Sequence, residues 1–246
     1  MNGVHQNIDD KKLVILQLYP DEMNIYGDRG NVLTLTRRAE WHGYSPEVIY
    51  HHPGKPFPKR ADIIVGGGGQ DSGQEKVEKD LLRIGDALHA FADSGTPMIM
   101  VCGLYQLFGK FFKTADGKVI QGIGIFDAET LAGPNRMIGN VLLDSPFGEI
   151  IGYENHSGQT FLAPGTKPFG KVKKGAGNNG KDRHEGAIYN NVYGTYLHGS
   201  LLPKNPVFVD ALLRTALTNA YGEFHPAEID DLLVSQARAV ARSRPR

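Results

Sequence analysis

An α/β fold built on a parallel sheet is what this sequence predicts, and three observations predict it. Short apolar runs rich in β-branched residues alternate with longer helical patterns through the first half of the 246 residues. Several of these short runs end in glycine or proline, as strands that feed tight turns do. No internal repeat, low-complexity linker or clear boundary interrupts the chain, so residues 1–246 read as a single domain.

In chain order, "LVILQLYP" from Leu13 to Pro20 has the pattern of a buried strand. "NVLTLTRRAEWHG" follows as a helix, with Asn31 as its expected N-cap and Gly43 as its expected C-cap. "PEVIYHH" and "ADIIVGGGG" are the second and third strands, the third running into a glycine loop. A long amphipathic helix comes next, with Val77, Leu81, Ile84 and Leu88 at helical spacing. Gly85 inside it weakens the helix by about 1 kcal/mol relative to alanine. "PMIMV" is the fourth strand and delivers Cys102. The second half changes character: "GIGIFDAETL", "RMIGNVLLD", "GEIIGYENH" and "YNNVYGTYLHG" are strand-like runs joined by glycine-rich turns. "AGNNGKDRHEG" between them is expected to be an exposed loop. Two helices, "NPVFVDALLRTALTNA" and "PAEIDDLLVSQARAVARSR", close the chain.

Composition excludes several functions. Lysine and arginine total 27 and so do aspartate and glutamate, which argues against a nucleic-acid surface or a binder of acidic membranes. No apolar stretch approaches the roughly 20 residues of a membrane-spanning helix. Acidic residues precede the first apolar run, which is also too short for a signal peptide. A single cysteine forms no internal disulfide, and a cytoplasmic location is expected.

That cysteine sits in "MIMVCGLYQLFG", where a strand gives way to a helix. A buried structural thiol is the plain alternative. The location favours chemistry, because ligands of open α/β sheets bind beyond the carboxyl ends of the strands. A nucleophile on a sharp strand-to-helix turn projects its reactive atom there, and a helix N-terminus stabilises a thiolate. The N–H of Gly103 would face the same space as an oxyanion donor. A cysteine nucleophile also needs a base. His198, in "YGTYLHGS", and His156, in "YENHSGQT", both lie at strand-like ends and are the two candidates. The run "VGGGGQD" is neither a P-loop nor a dinucleotide fingerprint. It reads as a tight turn or as a second oxyanion donor. No ATP site and no metal cluster is evident.

The ordered set "NIYGDRGNVLTL", "GGGQD", "NRMIGN", "GYENHSGQT", "GNN…EG" and "GTYLHGSLLPKN" resembles the CobB/CobQ-like branch of the class I glutamine amidotransferases over nearly the whole chain. Within that branch it is similar to the glutaminase subunits of lipid II isoglutaminyl synthases. The resemblance implies a three-layer α/β/α domain of flavodoxin-like, Rossmann-like type. It implies hydrolysis of L-glutamine through a thioester on Cys102, with His198 as the base and Gly103 plus a glycine of the Gly67–Gly69 run, Gly68 favoured, as the oxyanion hole. Gln106 and Arg136 match substrate-binding positions, the arginine suited to the α-carboxylate. Two departures stand out. Met100 and Leu104 replace the outer glycines of the usual G-x-C-x-G elbow. Ser200 stands where the usual triad glutamate would follow the base, leaving a Cys/His dyad without an acid. With no cofactor in this chain, the resemblance places ATP and Mg²⁺ on a MurT-like Mur-ligase partner, forming a heterodimer that amidates the D-glutamate of lipid II. A cobyrinate-type amidating complex and a non-catalytic binding module are the rival readings.

Overall fold

The computed structural model describes residues 11–244. The acidic residues read ahead of the first apolar run lie outside these. In chain order the first half forms β1 (Lys12–Leu18), α1 (Arg29–Trp41), β2 (Ser45–His51), β3 (Ile63–Gly66), α2 (Asp71–Asp93), β4 (Met98–Val101) and α3 (Gly103–Phe108). The second half forms β5 (Phe111–Lys113), β6 (Val119–Gln121), β7 (Ala128–Ser145), β8 (Gly148–Leu162), β9 (Gly170–Lys174), β10 (His184–Glu185), β11 (Ala187–Tyr189), β12 (Val192–Thr195) and β13 (Leu197–His198). A 3₁₀ turn (Leu202–Lys204) and two helices, α4 (Pro206–Tyr221) and α5 (Leu232–Ser243), complete it.

The central sheet has the order β11-β12-β4-β3-β1-β2. All its neighbours are parallel except the edge strand β11. The chain moves outward from β1 to β2 through α1, but in the opposite direction from β3 to β4 through α2. Right-handed crossovers in opposite directions place their helices on opposite faces. Helix α1 accordingly packs with α4, and α2 packs with α3. This is the expected three-layer α/β/α arrangement. The reversal falls between β1 and β3, the topological switch point where open sheets bind ligands.

The second-half strands form another, mainly antiparallel sheet around the β7–β8 hairpin. "RMIGNVLLD" and "GEIIGYENH" lie within that hairpin, as expected strands. "GIGIFDAETL" is strand only from Ala128 onward. Its first part is a loop, because Gly122 and Gly124 donate to the carbonyls of Lys110 and Gly109 just after α3, both at 2.9 Å.

Three further expectations are corrected. Helix α1 begins at Arg29, so Asn31 lies inside it; its side-chain oxygen accepts from the N–H of Leu202 at 2.9 Å instead of capping its own helix. The segment "AGNNGKDRHEG" is exposed only at residues 180–184. Asn178 at its start is fully buried and bridges the Gly186 N–H and C=O at 2.8 and 3.0 Å. The last helix starts at Leu232, not Pro226, because Asp231 is tied to Arg38 at 2.8 Å and fixes the preceding segment against α1. Gly43 does close α1, in the left-handed region at φ 83° just past His42. Among the described residues no helix is long and apolar enough to cross a membrane.

Candidate active site

Strand β4 is buried along its whole length and ends on Cys102, whose φ of 50° and ψ of −103° make a sharp elbow. A non-glycine residue there is disfavoured by about 1–3 kcal/mol and persists only where its surroundings hold it. Here the Cys102 N–H donates to the Thr195 carbonyl at 2.8 Å, and its own carbonyl accepts from the Gln106 N–H at 3.0 Å. Gly103 must be bare, since a Cβ would lie 2.7 Å from Met23 Cε and 3.0 Å from Gly69 N.

The two unusual elbow residues are accommodated away from the site. Met100 and Leu104 are fully buried. Both press on Gly66, where a Cβ would sit 2.4 Å from Leu104 Cδ1 and 2.7 Å from Met100 Sδ. Neither residue lines the cleft.

That cleft has a volume of about 350 Å³ and opens over Cys102. Its wall is completed by Tyr26, Gly69, Gln106, Arg136 and His156. The size suits a small amino acid.

His198 ends β13, which pairs with β8, and is 1% exposed. Gly68 marks its meeting point with Cys102. A Cβ on Gly68 would lie 2.9 Å from His198 Cε1, 3.1 Å from Cys102 Cβ and 3.4 Å from Asp28 Oδ2. The third neighbour, Asp28, was not anticipated from the sequence. It is 1% exposed, and its Oδ1 stands 3.9 Å from His198 Nδ1 with no hydrogen-bond partner. Burial alone would depress the histidine's pKa. The charges of Cys102 and Asp28 outweigh burial and push it up to about 10. The surroundings of His198 thus favour its protonated form, with Cys102 on one side and Asp28 on the other. Beside the expected Cys/His pair the structure places a carboxyl group from the loop before α1, not from two residues after the base.

The same carboxylate bears on the oxyanion assignment. Gly68, the favoured donor, gives its N–H to Asp28 Oδ2 at 2.7 Å and so is already engaged. Gly69 lines the cleft, and its N–H makes no hydrogen bond among the described residues. It lies close to Gly103, on which a Cβ would be 3.0 Å from Gly69 N.

Arg136 and Gln106 both line the cleft, as expected of substrate-binding residues. Nη1 of Arg136 donates to Asn155 Oδ1 at 2.8 Å and lies 3.4 Å from Tyr26 Oη, while Nη2 and Nε make no hydrogen bond among the described residues. Gln106 is more constrained. Its Oε1 accepts from Gln74 Nε2 at 2.7 Å and its Nε2 donates to Tyr196 Oη at 3.1 Å, which makes it a fixed wall.

His156 is excluded as the base. It is 2% exposed, stacks on Tyr196 with ring centroids 3.5 Å apart, and points Nδ1 at the Gly158 carbonyl at 2.7 Å. Burial, joined by the positive charges of His198 and Arg136, lowers its pKa to about 3 despite that hydrogen bond. A group so reluctant to hold a proton is a poor acceptor for one from a thiol.

Taken together, a thiol on a strand-to-helix elbow, a buried histidine on the other side of Gly68 and an arginine in the same cleft suit acyl transfer from a small anionic amide. Comparison with known proteins agrees with this geometry. The family model of the CobB/CobQ-like glutamine amidotransferase domain matches residues 14–206. The chain is 39% identical to the lipid II isoglutaminyl synthase (glutamine-hydrolyzing) subunit GatD of Staphylococcus aureus (strain N315), covering 95% of this chain and 96% of that one. It is 37% identical to the subunit of the same name from Streptococcus pneumoniae (strain ATCC BAA-255 / R6), over 86% of this chain and 83% of the other. Among solved structures, PurLQS from Thermotoga maritima superposes with a TM-score of 0.58 at 15% identity, covering 85% of this chain and 99% of that one, which speaks to the fold alone.

Proposed function

The chain belongs to the CobB/CobQ-like glutamine amidotransferase family, and on that premise we propose that it is the glutamine-hydrolysing subunit of a lipid II isoglutaminyl synthase. The observation that carries the catalytic half of this reading is the placement of Cys102, His198 and Asp28 around Gly68. It also weighs against a non-catalytic module, which has no need of a buried imidazolium beside its single thiol.

In the first step the Cys102 thiolate attacks the carboxamide carbon of L-glutamine. The carbonyl oxygen takes up negative charge and is held by the N–H groups of Gly69 and Gly103. His198 gives its proton to the amide nitrogen, the C–N bond breaks, and ammonia leaves a glutamyl thioester. The histidine, now neutral, takes a proton from water as the oxygen attacks the thioester. The C–S bond breaks, glutamate leaves, and thiolate and imidazolium are restored. Arg136 holds the α-carboxylate throughout, with Asn155 bracing Nη1.

Ammonia released here serves a second subunit, a MurT-like ligase carrying ATP and Mg²⁺, which amidates the α-carboxyl of D-glutamate in lipid II. Both subunits work on the cytoplasmic side, where lipid II precursors and ATP occur together. The test is ammonia release from glutamine with and without the co-expressed ligase subunit. Cys102→Ala should abolish release in both cases while the fold survives. Undiminished release by that variant would overturn the reading.

A further inference from the structure

Ser200 occupies the place where a triad acid would follow the base, yet it is not an idle replacement. It adopts φ 47°, a conformation that serine rarely holds without reason. Its Oγ donates to the Gly27 carbonyl at 2.9 Å, and Gly27 directly precedes Asp28. The contact is tight: a Cβ on Gly30, two residues past Asp28, would lie 2.0 Å from the serine Oγ. A second hydrogen bond joins the same two elements, and a third braces the segment after the base internally. The Leu202 N–H donates to Asn31 Oδ1 at 2.9 Å, and Lys204 Nζ donates to the Gly199 carbonyl. The segment after the base is thereby fastened to the first turn of the helix whose entry loop carries the acid.

This fastening matters because the acid–base contact is not itself a hydrogen bond. His198 Nδ1 and Asp28 Oδ1 are 3.9 Å apart. A through-space contact of this kind depends on where the two loops sit. The Gly68 N–H fixes Asp28 from the β3 side, and Ser200 fixes it from the side of the histidine.

We propose that Ser200 is the positioning residue that holds Asp28 against His198, so that the serine at the acid's usual place acts through an acid borrowed from another element. The inference rests on the glutaminase reading of the site. Ser200 touches neither substrate nor thiol, and its effect passes through the carboxylate.

The experiment uses acivicin, a glutamine-mimicking electrophile, on the chain co-expressed with its ligase subunit. Maximal labelling rate and half-saturating concentration are measured for the wild type, Ser200→Ala, Asp28→Asn and the double variant, each with its thermal midpoint. Ser200→Ala should lower the maximal rate roughly 3- to 10-fold, the loss of one neutral hydrogen bond, with half-saturation within about twofold of wild type. The same substitution should have no further effect in the Asp28→Asn background, because two residues acting through one contact are not additive. Ser200→Gly, which relieves the φ but also lacks the hydroxyl, should match the alanine variant; it is the working variant if alanine lowers the midpoint. An equal loss from Ser200→Ala with and without the Asp28 charge, or no loss at all, would overturn the proposal. A wild-type protein that acivicin does not label at Cys102 would instead overturn the glutaminase reading beneath it.

Discussion

Asp28 and His198 face each other across 3.9 Å beside Gly68, both about 99% hidden from solvent. Water cannot screen this pair well, so the carboxylate's charge is felt fully by the ring. The imidazolium is the proton donor for departing ammonia, and activity is lost where that proton is lost. Because the pKa of His198 is raised to about 10, the loss comes on the alkaline side. Asp28→Asn removes a negative charge, lowers that pKa, and so should move the alkaline limb of the kcat/KM profile down by about one unit. At neutral pH, where the ring stays protonated, kcat/KM should fall by less than about 10-fold, the equivalent of that one-unit shift. A superimposable pH profile would show that Asp28 has no hold on the base.

Asp28 also shows where the sequence stops being legible. Cys102 and His198 are visible because each ends a strand-like run beside glycine, and strand ends are where such sheets do chemistry. Arg136 and Gln106 are visible through resemblance of short motifs. Asp28 sits in "GDRG", a turn whose glycines and charges suit an ordinary exposed loop, and its partner comes from the other end of the chain. The buried ends of the 176–186 segment were hidden for the same reason. Asn178 and Glu185 are polar, and only tertiary hydrogen bonds reveal that they are core. Four consecutive glycines are alike in sequence and differ only in what their N–H groups meet, as the Gly68 N–H meets Asp28.

Arg136 should bind substrate and do no chemistry on the amide. Arg136→Ala is expected to lower kcat/KM for glutamine roughly 10- to 150-fold. Lysine should recover only part of this, because Nη1 is already engaged by Asn155 and one ammonium cannot serve both partners. The deficit should shrink with an amide lacking the α-carboxylate. If it is equally large with that compound, Arg136 serves the fold and the carboxylate binds elsewhere.

His156 and His198 separate by readout. His198→Ala should abolish acivicin labelling of Cys102 in a protein that still folds. His156→Ala removes a buried ring stacked on Tyr196, so the folded state should lose about 2–4 kcal/mol, and the midpoint several degrees. Labelling by that variant should persist below its midpoint. Absence of labelling in a folded His156→Ala protein, with labelling retained in His198→Ala, would reverse the two roles.

Glu185 should make the protein less stable as pH rises through neutrality. Its side chain is fully buried, accepting the Thr195 hydroxyl at 3.0 Å and the Tyr196 N–H at 2.6 Å. Burial raises its pKa to about 8, against the lowering effect of those hydrogen bonds, and the buried carboxylate of Glu154 adds to the rise. A folded-state pKa above the unfolded value means stability that is fully present below the ordinary carboxyl range, near 4.5, and lost as pH climbs through about 8. Over that interval the unfolded chain has released the proton that the folded chain still holds. Glutamine at 185 keeps the acceptor for Tyr196, carries no proton to lose, and donates to Thr195 as a protonated acid would. The midpoint of Glu185→Gln should therefore stay close to wild type at pH 5 and exceed it by several degrees at pH 8.5, from a difference on the order of 2 kcal/mol. His198 also releases a proton at alkaline pH, but it does so in both proteins and cancels from the comparison. A gap that stays flat from pH 5 to 8.5 would mean that Glu185 is already ionised in the fold. The Thr195 hydroxyl would then be bonded to a buried charge one residue-length from the carbonyl that holds the Cys102 elbow.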